Sequence, residues 1–172
     1  AELTRNPDLI GEASHVLLPG VGAAEDAMVR LKSNGLDELI PQLRQPVLGI
    51  CLGMQLMADA SEEEDVECLG IIPCIVRKLA PAQSLRVQNM GWCAITRQAE
   101  HPLMNGLVDG SYFYFVHSYA LPVSDDTLAT ADHVLPFSAV VSRANFVAAQ
   151  FHPERSSKAG ARLLRNFLEM NA

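Results

Sequence analysis

A single cysteine stands between two glycines in the stretch VLGICLGMQ, residues 47–55. The apolar run before Cys51 predicts a buried strand, and the residues from Gly53 onward predict a helix. Gly49-x-Cys51-x-Gly53 therefore has the form of a nucleophile elbow, a sharp strand-to-helix turn at which longer flanking side chains would collide with neighbouring segments. Because the amino end of a helix favours thiolate, we expect appreciable thiolate at Cys51 near neutral pH. The alternative is a buried cysteine in a core strand, with glycines that serve packing.

A nucleophilic thiol needs a base held in one tautomer. The stretch QFHPE offers His152 and Glu154 two residues apart, at the end of a predicted strand. Period-two alternation would place both side chains on one face, so the carboxylate could orient the imidazole. A surface His-Pro-Glu sequence is the alternative for this stretch.

An oxyanion formed during attack by the thiol would need backbone N–H donors. The N–H of Leu52, directly after the cysteine, is one candidate. The turn PGVG at residues 19–22 supplies another, the N–H of Val21 or Gly22. An ordinary glycine turn is the alternative there.

Strands and helices alternate in the first half of the chain, which predicts an α/β fold with a doubly wound, mostly parallel sheet and helices on both faces. The predicted strands are 15–18 and 46–51, and the predicted helices are 23–32, 36–43 and 53–59. The second half is β-rich at 111–121 and predicts an antiparallel hairpin from 137–142 and 146–151. It closes with an amphipathic helix over 158–170, whose apolar face we expect to contain Ala161, Leu164, Phe167 and Leu168.

Length and composition favour one domain over residues 1–172 and exclude several function classes. A net charge of −7 without a basic cluster argues against nucleic acid or an anionic membrane as partner. The four cysteines form no C-x-x-C pair, so we expect no metal site. Reduced thiols in a cytoplasmic protein are the favoured interpretation. Because the first strong strand arrives after a loop, we expect that a preceding strand and helix are missing from this chain.

Four separated motifs occur in one order: PGVG at 19–22, GICLGMQ at 49–55, FVHSY at 115–119 and QFHPERS at 150–156. Together they resemble the class I glutamine amidotransferases over essentially the whole chain. Within that class, Met54, the run Met90-Gly91-Trp92 and the ending FHPERS are similar to the glutaminase subunits of imidazole glycerol phosphate synthase.

The resemblance implies that Cys51 attacks the carboxamide of glutamine to give a thioester and ammonia, with His152 as proton carrier and Glu154 as its orienting group. It also implies an oxyanion hole from Val21, Gly22 and Leu52. The substrate-binding residues it implies are Gly53, Gln55, Glu63, His117, Ser118 and Tyr119, of which Gln55 and Glu63 would hold the charged end of glutamine. No cofactor is implied.

The resemblance further implies a heterodimer in which ammonia passes to a (β/α)8-barrel cyclase subunit in histidine biosynthesis, with Trp92 at the interface. Two residues depart from the family, since Asn89 and Cys93 stand where histidine and asparagine are usual. Two alternatives stay open: another class I amidotransferase or cysteine hydrolase on the same scaffold, and a non-catalytic partner subunit.

Overall fold

The structure, a computed structural model, describes residues 1–79 and 88–171. Five α-helices lie within these residues: α1 (Pro7–Glu12), α2 (Ala24–Lys32), α3 (Leu36–Leu39), α4 (Leu52–Gln55) and α5 (Ser157–Leu168). The strands there are β1 (Val16–Gly20), β2 (Val47–Cys51), β3 (Ala58–Ser61), β4 (Val66–Glu67), β5 (Ile72–Lys78), β6 (Asn89–Ala94), β7 (Thr96–Arg97), β8 (Tyr112–His117), β9 (Tyr119–Ala120), β10 (Thr127–Asp132), β11 (Pro136–Arg143) and β12 (Phe146–Ala149). Short 3-10 helices lie at Ile40–Gln42, Pro102–Met104 and Pro153–Arg155. Among the described residues, no helix combines the length and the apolar character needed to cross a bilayer.

The central sheet has six described strands in the order β1-β2-β12-β11-β10-β7. Strand β2 pairs in parallel with both β1 and β12, whereas the remaining pairs are antiparallel. The predicted α/β class and the predicted β11–β12 hairpin are confirmed. The parallel part comprises the three strands β1, β2 and β12, and β2 and β12 end beside the candidate site. Two smaller sheets, β4-β3-β5-β9 and the ribbon β6-β8, complete the fold.

Side chains alternate along β2 between two cores, one on each face of the sheet. Val47 packs into a core with Met28 of α2, whereas Leu48 packs into a second core with Leu163 and Phe167 of α5. Val47 and Leu48 are fully buried, as is usual for a parallel strand covered by helices on both faces. This double cover fixes β2, and therefore the residue at its end.

The helix predicted over 53–59 ends at Gln55, and a strand begins at Ala58. Longer-range pairing prevents the helix from continuing, because the carbonyl of Met57 accepts hydrogen bonds from the N–H groups of Ile71 and Ile72. The candidate nucleophile is therefore followed by a single helical turn.

The apolar face predicted for the last helix is wrong in two positions. Ala161 and Leu168 are exposed, and the buried residues of α5 are Gly160, Leu163, Asn166 and Phe167. The side chain of Asn166 donates to the backbone carbonyls of Leu103 and Asn105, at 2.8 and 2.7 Å. These hydrogen bonds make a polar residue part of the buried face, which hydrophobic periodicity does not detect.

Candidate active site

Cys51 ends β2 and adopts a backbone conformation with φ 54° and ψ −109°. A non-glycine residue rarely adopts positive φ, and such strain persists only where the surroundings impose it. The flanking glycines show the cause. A Cβ on Gly49 would lie 2.8 Å from the carbonyl oxygen of Gly53, and one on Gly53 would lie 1.8 Å from the carbonyl oxygen of Leu18. The turn closes because neither position carries a side chain.

The sulfur of Cys51 is buried and has three polar neighbours. The backbone N–H of Leu52 points to it, and the side-chain amide nitrogen of Gln150 lies 3.8 Å away. The thiol itself donates toward the carbonyl of Val116 at 3.9 Å. These contacts place an N–H donor at the sulfur from both the backbone and a side chain.

The expectation of thiolate at neutral pH is wrong for the chain alone. Burial raises the pKa of Cys51 to about 11, the N–H of Leu52 lowers it less, and the charge of Glu154 adds to the rise. Loss of water around an anion outweighs the donors here. The helix that follows has only four residues, so it contributes a small dipole.

His152 and Glu154 are joined by a hydrogen bond, with Nδ1 to Oε1 at 2.9 Å. They do not share a strand face as expected, since β12 ends at Ala149 and a 3-10 turn over Pro153–Arg155 brings them together. The hydroxyl of Ser156 donates to the carbonyl of His152 at 2.6 Å and fixes the turn. Within the described residues, no hydrogen bond joins the His152 ring to Cys51.

Most of the residues predicted for the site line one cavity of about 340 Å³. Its lining consists of Gly20, Val21, Gly22, Cys51, Leu52, Gln55, Glu63, Val116, His117, Ser118, Tyr119, His152 and Arg155. Two residues expected to form the site do not line the cavity: Gly53 packs against Leu18 behind the turn, and Glu154 contacts His152. Trp92, expected at the interface, lies on the ribbon β6-β8.

Gln55 and Glu63 present acceptors to this cavity. The amide nitrogen of Gln55 donates to the carbonyl of Tyr119 at 2.8 Å and to Oε1 of Gln150 at 3.0 Å, so only its oxygen is left for a ligand. One carboxylate oxygen of Glu63 accepts from the N–H of Ala24 at 3.2 Å, and burial raises the pKa of this carboxyl group. Two acceptors that line the same cavity suit an ammonium group.

The ring of His117 has no nitrogen available for proton transfer. Its Nδ1–H donates to the carbonyl of Tyr119 at 2.8 Å, which leaves Nε2 to accept from the amide of Asn89 at 3.2 Å. Burial lowers the pKa of His117 to about 4. The thiol of Cys93 donates to the other end of the Asn89 amide at 3.4 Å. Asn89 and Cys93 are therefore hydrogen-bonded to each other and, through His117, to the cavity wall.

Sequence reasoning missed two residues of the site, Gln150 and Arg155. Arg155 lines the cavity and stacks over the ring of Tyr114, 4.3 Å from its centroid. Gln150 is fully buried against Cys51. Both lie inside QFHPERS, and the only available signal was this proximity to His152.

The family model for glutamine amidotransferase class I matches residues 2–170. The chain has the fold of this class. The glutaminase domain of CTPS from Trypanosoma brucei superposes with a TM-score of 0.66 at 15% identity, over 96% of this chain and 75% of that one. A glutamine amidotransferase from Thermotoga maritima superposes with a TM-score of 0.62 at 22% identity, over 92% and 62% respectively. The chain belongs to the class I glutamine amidotransferases and is an enzyme of that class.

Its curated relatives narrow the family further. Imidazole glycerol phosphate synthase subunit HisH of Xanthomonas axonopodis pv. citri is 50% identical over 171 residues, 99% of this chain and 86% of the relative. The same subunit of Xylella fastidiosa is 51% identical over 160 residues, 93% and 80% respectively. Within the class, the chain belongs to the HisH subunits of imidazole glycerol phosphate synthase, the glutaminase subunits of that enzyme.

Proposed function

We propose that this chain hydrolyses glutamine through a thioester on Cys51 and delivers the ammonia to a (β/α)8-barrel cyclase subunit. One observation carries the catalytic part: a cysteine on a strained turn and a histidine bonded to a carboxylate line the same cavity. This constellation of nucleophile, base and orienting group is the arrangement that acyl transfer requires.

In the first half-reaction His152 takes the proton of the Cys51 thiol as the sulfur attacks the carboxamide carbon, and the carbonyl oxygen becomes an oxyanion. The N–H of Leu52 and an N–H of the Val21-Gly22 turn stabilise it. The C–N bond then breaks, and His152 supplies the proton with which ammonia leaves. In the second half-reaction His152 takes a proton from water, which attacks the thioester and releases glutamate and the thiol. Glu154 keeps the imidazole in one orientation throughout.

The substrate's ammonium group lies between Gln55 and Glu63 in this proposal. Arg155, Ser118 and Tyr119 also line the cavity. The carboxylate of glutamine is an anion, and the guanidinium of Arg155 is a cation of the same cavity lining. Charge therefore orients the amino acid, with its carboxamide toward Cys51.

The isolated chain is expected to turn over glutamine slowly. The pKa of its thiol is about 11, and His152 makes no hydrogen bond to that thiol within the described residues. Val21 is 85% exposed, and the neighbouring Gly22 has φ 96° with open space around it. The turn that carries the second oxyanion donor can therefore reorient when the cyclase and its nucleotide ligand bind. Equal turnover with and without the cyclase would contradict this step.

The ribbon β6-β8 is proposed as the surface that meets the cyclase. Its outer face exposes Met90, Trp92 and Tyr112, an apolar cluster of the kind that marks protein interfaces. The Trp92 ring meets Tyr114 edge-on at 6.1 Å, and Arg155 covers Tyr114 and lines the cavity. The four cysteines are unpaired thiols, which favours a reducing compartment such as the cytoplasm.

The test of the proposed function separates two activities of the assembled complex. Cys51→Ala should abolish glutamine hydrolysis while synthesis driven by added ammonia continues, because the acceptor chemistry takes place on the cyclase. Cys68→Ala, a partly buried thiol outside the cavity, is the matched control and should retain both activities. If Cys51→Ala removed both activities from a complex that stays assembled, the proposed division of labour would be wrong.

A second test asks which thiol reacts with a glutamine-shaped electrophile such as a diazo-ketone analogue. In the complex, peptide mapping should find the label on Cys51 and not on Cys68, Cys74 or Cys93. Free glutamine should protect against labelling. Label spread over all four cysteines, or labelling indifferent to glutamine, would refute a glutamine site at Cys51.

A further inference from the structure

Gln150 is a fully buried side chain that contacts both Cys51 and Gln55, two residues that line the cavity. Its amide nitrogen is 3.8 Å from the sulfur of Cys51, and its Oε1 accepts from the amide of Gln55 at 3.0 Å. The mechanism described above uses neither of these contacts. A buried amide therefore touches the reacting atom without an assigned role.

The orientation of the Gln150 amide is determined by the backbone. The carbonyl of Tyr119 can only accept, so Gln55 must direct its nitrogen toward it, at 2.8 Å. The second N–H of the same nitrogen then meets Gln150, which must present its oxygen. The nitrogen of Gln150 is thereby left to face the sulfur. A flipped amide would place two oxygens or two nitrogens in contact at one end of this network.

We propose that Gln150 is a catalytic residue whose oriented amide N–H stabilises the sulfur anion of Cys51. The proposal rests on the proposed function, to which it adds a residue that acts on the nucleophile. The chemistry of the contact supports it. A neutral thiol accepts a hydrogen bond weakly, whereas hydrogen bonds to an ionised acceptor are about twice as strong as neutral ones. The contact therefore gains most of its strength when the proton leaves the sulfur.

The surrounding charges show why such a donor is needed. Glu154 and Glu63 both disfavour an anion at Cys51, as does burial of the sulfur. His117, His152 and Arg155 are the basic side chains that line the cavity among the described residues, and burial lowers the pKa of His117 to about 4. The N–H groups of Leu52 and Gln150 are neutral donors that act on the sulfur directly. They stabilise the anion without a positive charge that would attract the carboxylate of glutamine to the wrong end of the cavity.

The test measures the rate at which iodoacetamide alkylates Cys51 as a function of pH, by peptide mass spectrometry on the full chain in complex with the cyclase. Gln150→Met keeps the length of the side chain and removes the donor. We expect its pH midpoint to rise by about one unit, which lowers the alkylation rate near neutral pH about tenfold. Gln150→Glu should raise the midpoint further, since it brings an acceptor and a negative charge to the sulfur.

Asn166→Leu is the matched control, because Asn166 is also a buried amide that donates to backbone carbonyls, and it makes no contact with Cys51. Its midpoint should equal that of the unsubstituted chain. An unchanged midpoint in Gln150→Met, or the same rise in Asn166→Leu, would overturn the proposal.

If Gln150→Met does not fold, Gln55→Met tests the same network one step away. It frees the Gln150 amide to rotate, and the midpoint should rise by a smaller amount. No rise in this variant would overturn the proposal as well. Because the readout involves no glutamine, a failure here is distinct from retained hydrolysis in Cys51→Ala, which would overturn the proposed function.

Discussion

Gly53→Ala is expected to disable the elbow, with an effect that follows from one distance. An added Cβ would lie 1.8 Å from the carbonyl oxygen of Leu18, and an ordinary contact needs at least 3.4 Å. The two segments must separate by about 1.6 Å, a displacement of backbone from backbone. Leu18 is paired with Gly49 in the parallel ladder of β1 and β2, so the movement disturbs the strand that ends in Cys51. We expect a loss of about 3 kcal/mol in the free energy of unfolding, the upper end of ordinary overpacking.

The same displacement moves the nucleophile, and a misplacement of about 1 Å can lower turnover 100-fold. The assays are urea unfolding of the chain and kcat/KM for glutamine in the complex. In Gly49→Ala the new Cβ would lie 2.8 Å from the carbonyl oxygen of Gly53, so the backbone has to move less. This variant should lose less stability and less turnover than Gly53→Ala. Gly11→Ala is the control: it lies in α1 with nothing within 4 Å, and should be neutral or stabilise by about 0.5–1 kcal/mol. Native turnover in Gly53→Ala, or a larger loss in Gly49→Ala, would refute the steric reasoning.

Three further predictions concern the walls of the site. In Gly160→Ala the new Cβ would lie 1.9 Å from the carbonyl oxygen of Pro153 and would displace the turn that carries His152. Glutamine turnover should therefore fall about 100-fold, while iodoacetamide still alkylates Cys51 at the native rate. Slower alkylation of Cys51 would contradict this prediction. Glu63→Gln keeps an acceptor for the N–H at the start of α2 and removes the charge, so KM for glutamine should rise about tenfold or more at an unchanged free energy of unfolding. Glu63→Ala should in addition lower the free energy of unfolding by about 1 kcal/mol. An unchanged KM would exclude Glu63 as the ammonium ligand. The pKa of His117 is lowered from 6.5 to about 4, so between these pH values the unfolded chain binds a proton at this residue and the native chain does not. The free energy of unfolding should therefore fall as pH falls from 6.5 to 4, by up to about 3 kcal/mol. Urea titrations that show the same fall in His117→Gln would refute the assignment.

The elbow was predictable because its determinants are local. An apolar strand, a cysteine and two glycines at fixed spacing are sufficient, and the collisions at Gly49 and Gly53 give the physical reason. The pairing of His152 with Glu154 was also predicted, although from the wrong geometry. Residues two apart meet on a strand face and also across a 3-10 turn, so the spacing alone does not identify the backbone between them.

The protonation state of Cys51 and the role of Gln150 could not be predicted in this way. Desolvation of the sulfur depends on which segments cover it, among them Val116 from β8, 65 residues away along the chain. The direction of the Gln150 amide depends on Gln55 and, through it, on the carbonyl of Tyr119, which is 64 residues from Gln55 along the chain. Such contacts exist only after the sheets have assembled, and no short pattern encodes them.

Asn89 and Cys93 connect the ribbon to the site through the ring of His117. In a neutral imidazole one nitrogen must donate and the other accept, so the bond from His117 to the carbonyl of Tyr119 requires a donor at the opposite side of the ring. The amide of Asn89 supplies that donor, and the thiol of Cys93 satisfies the amide oxygen in turn. The carbonyl of Tyr119 is also the group that orients Gln55. One series of hydrogen bonds therefore runs from the ribbon to the nucleophile through Cys93, Asn89, His117, Tyr119, Gln55, Gln150 and Cys51. Each donor in that series meets an acceptor: Asn89 and Cys93 satisfy each other and the ring of His117, and the carbonyl of Tyr119 fixes the direction of the amide that faces the sulfur.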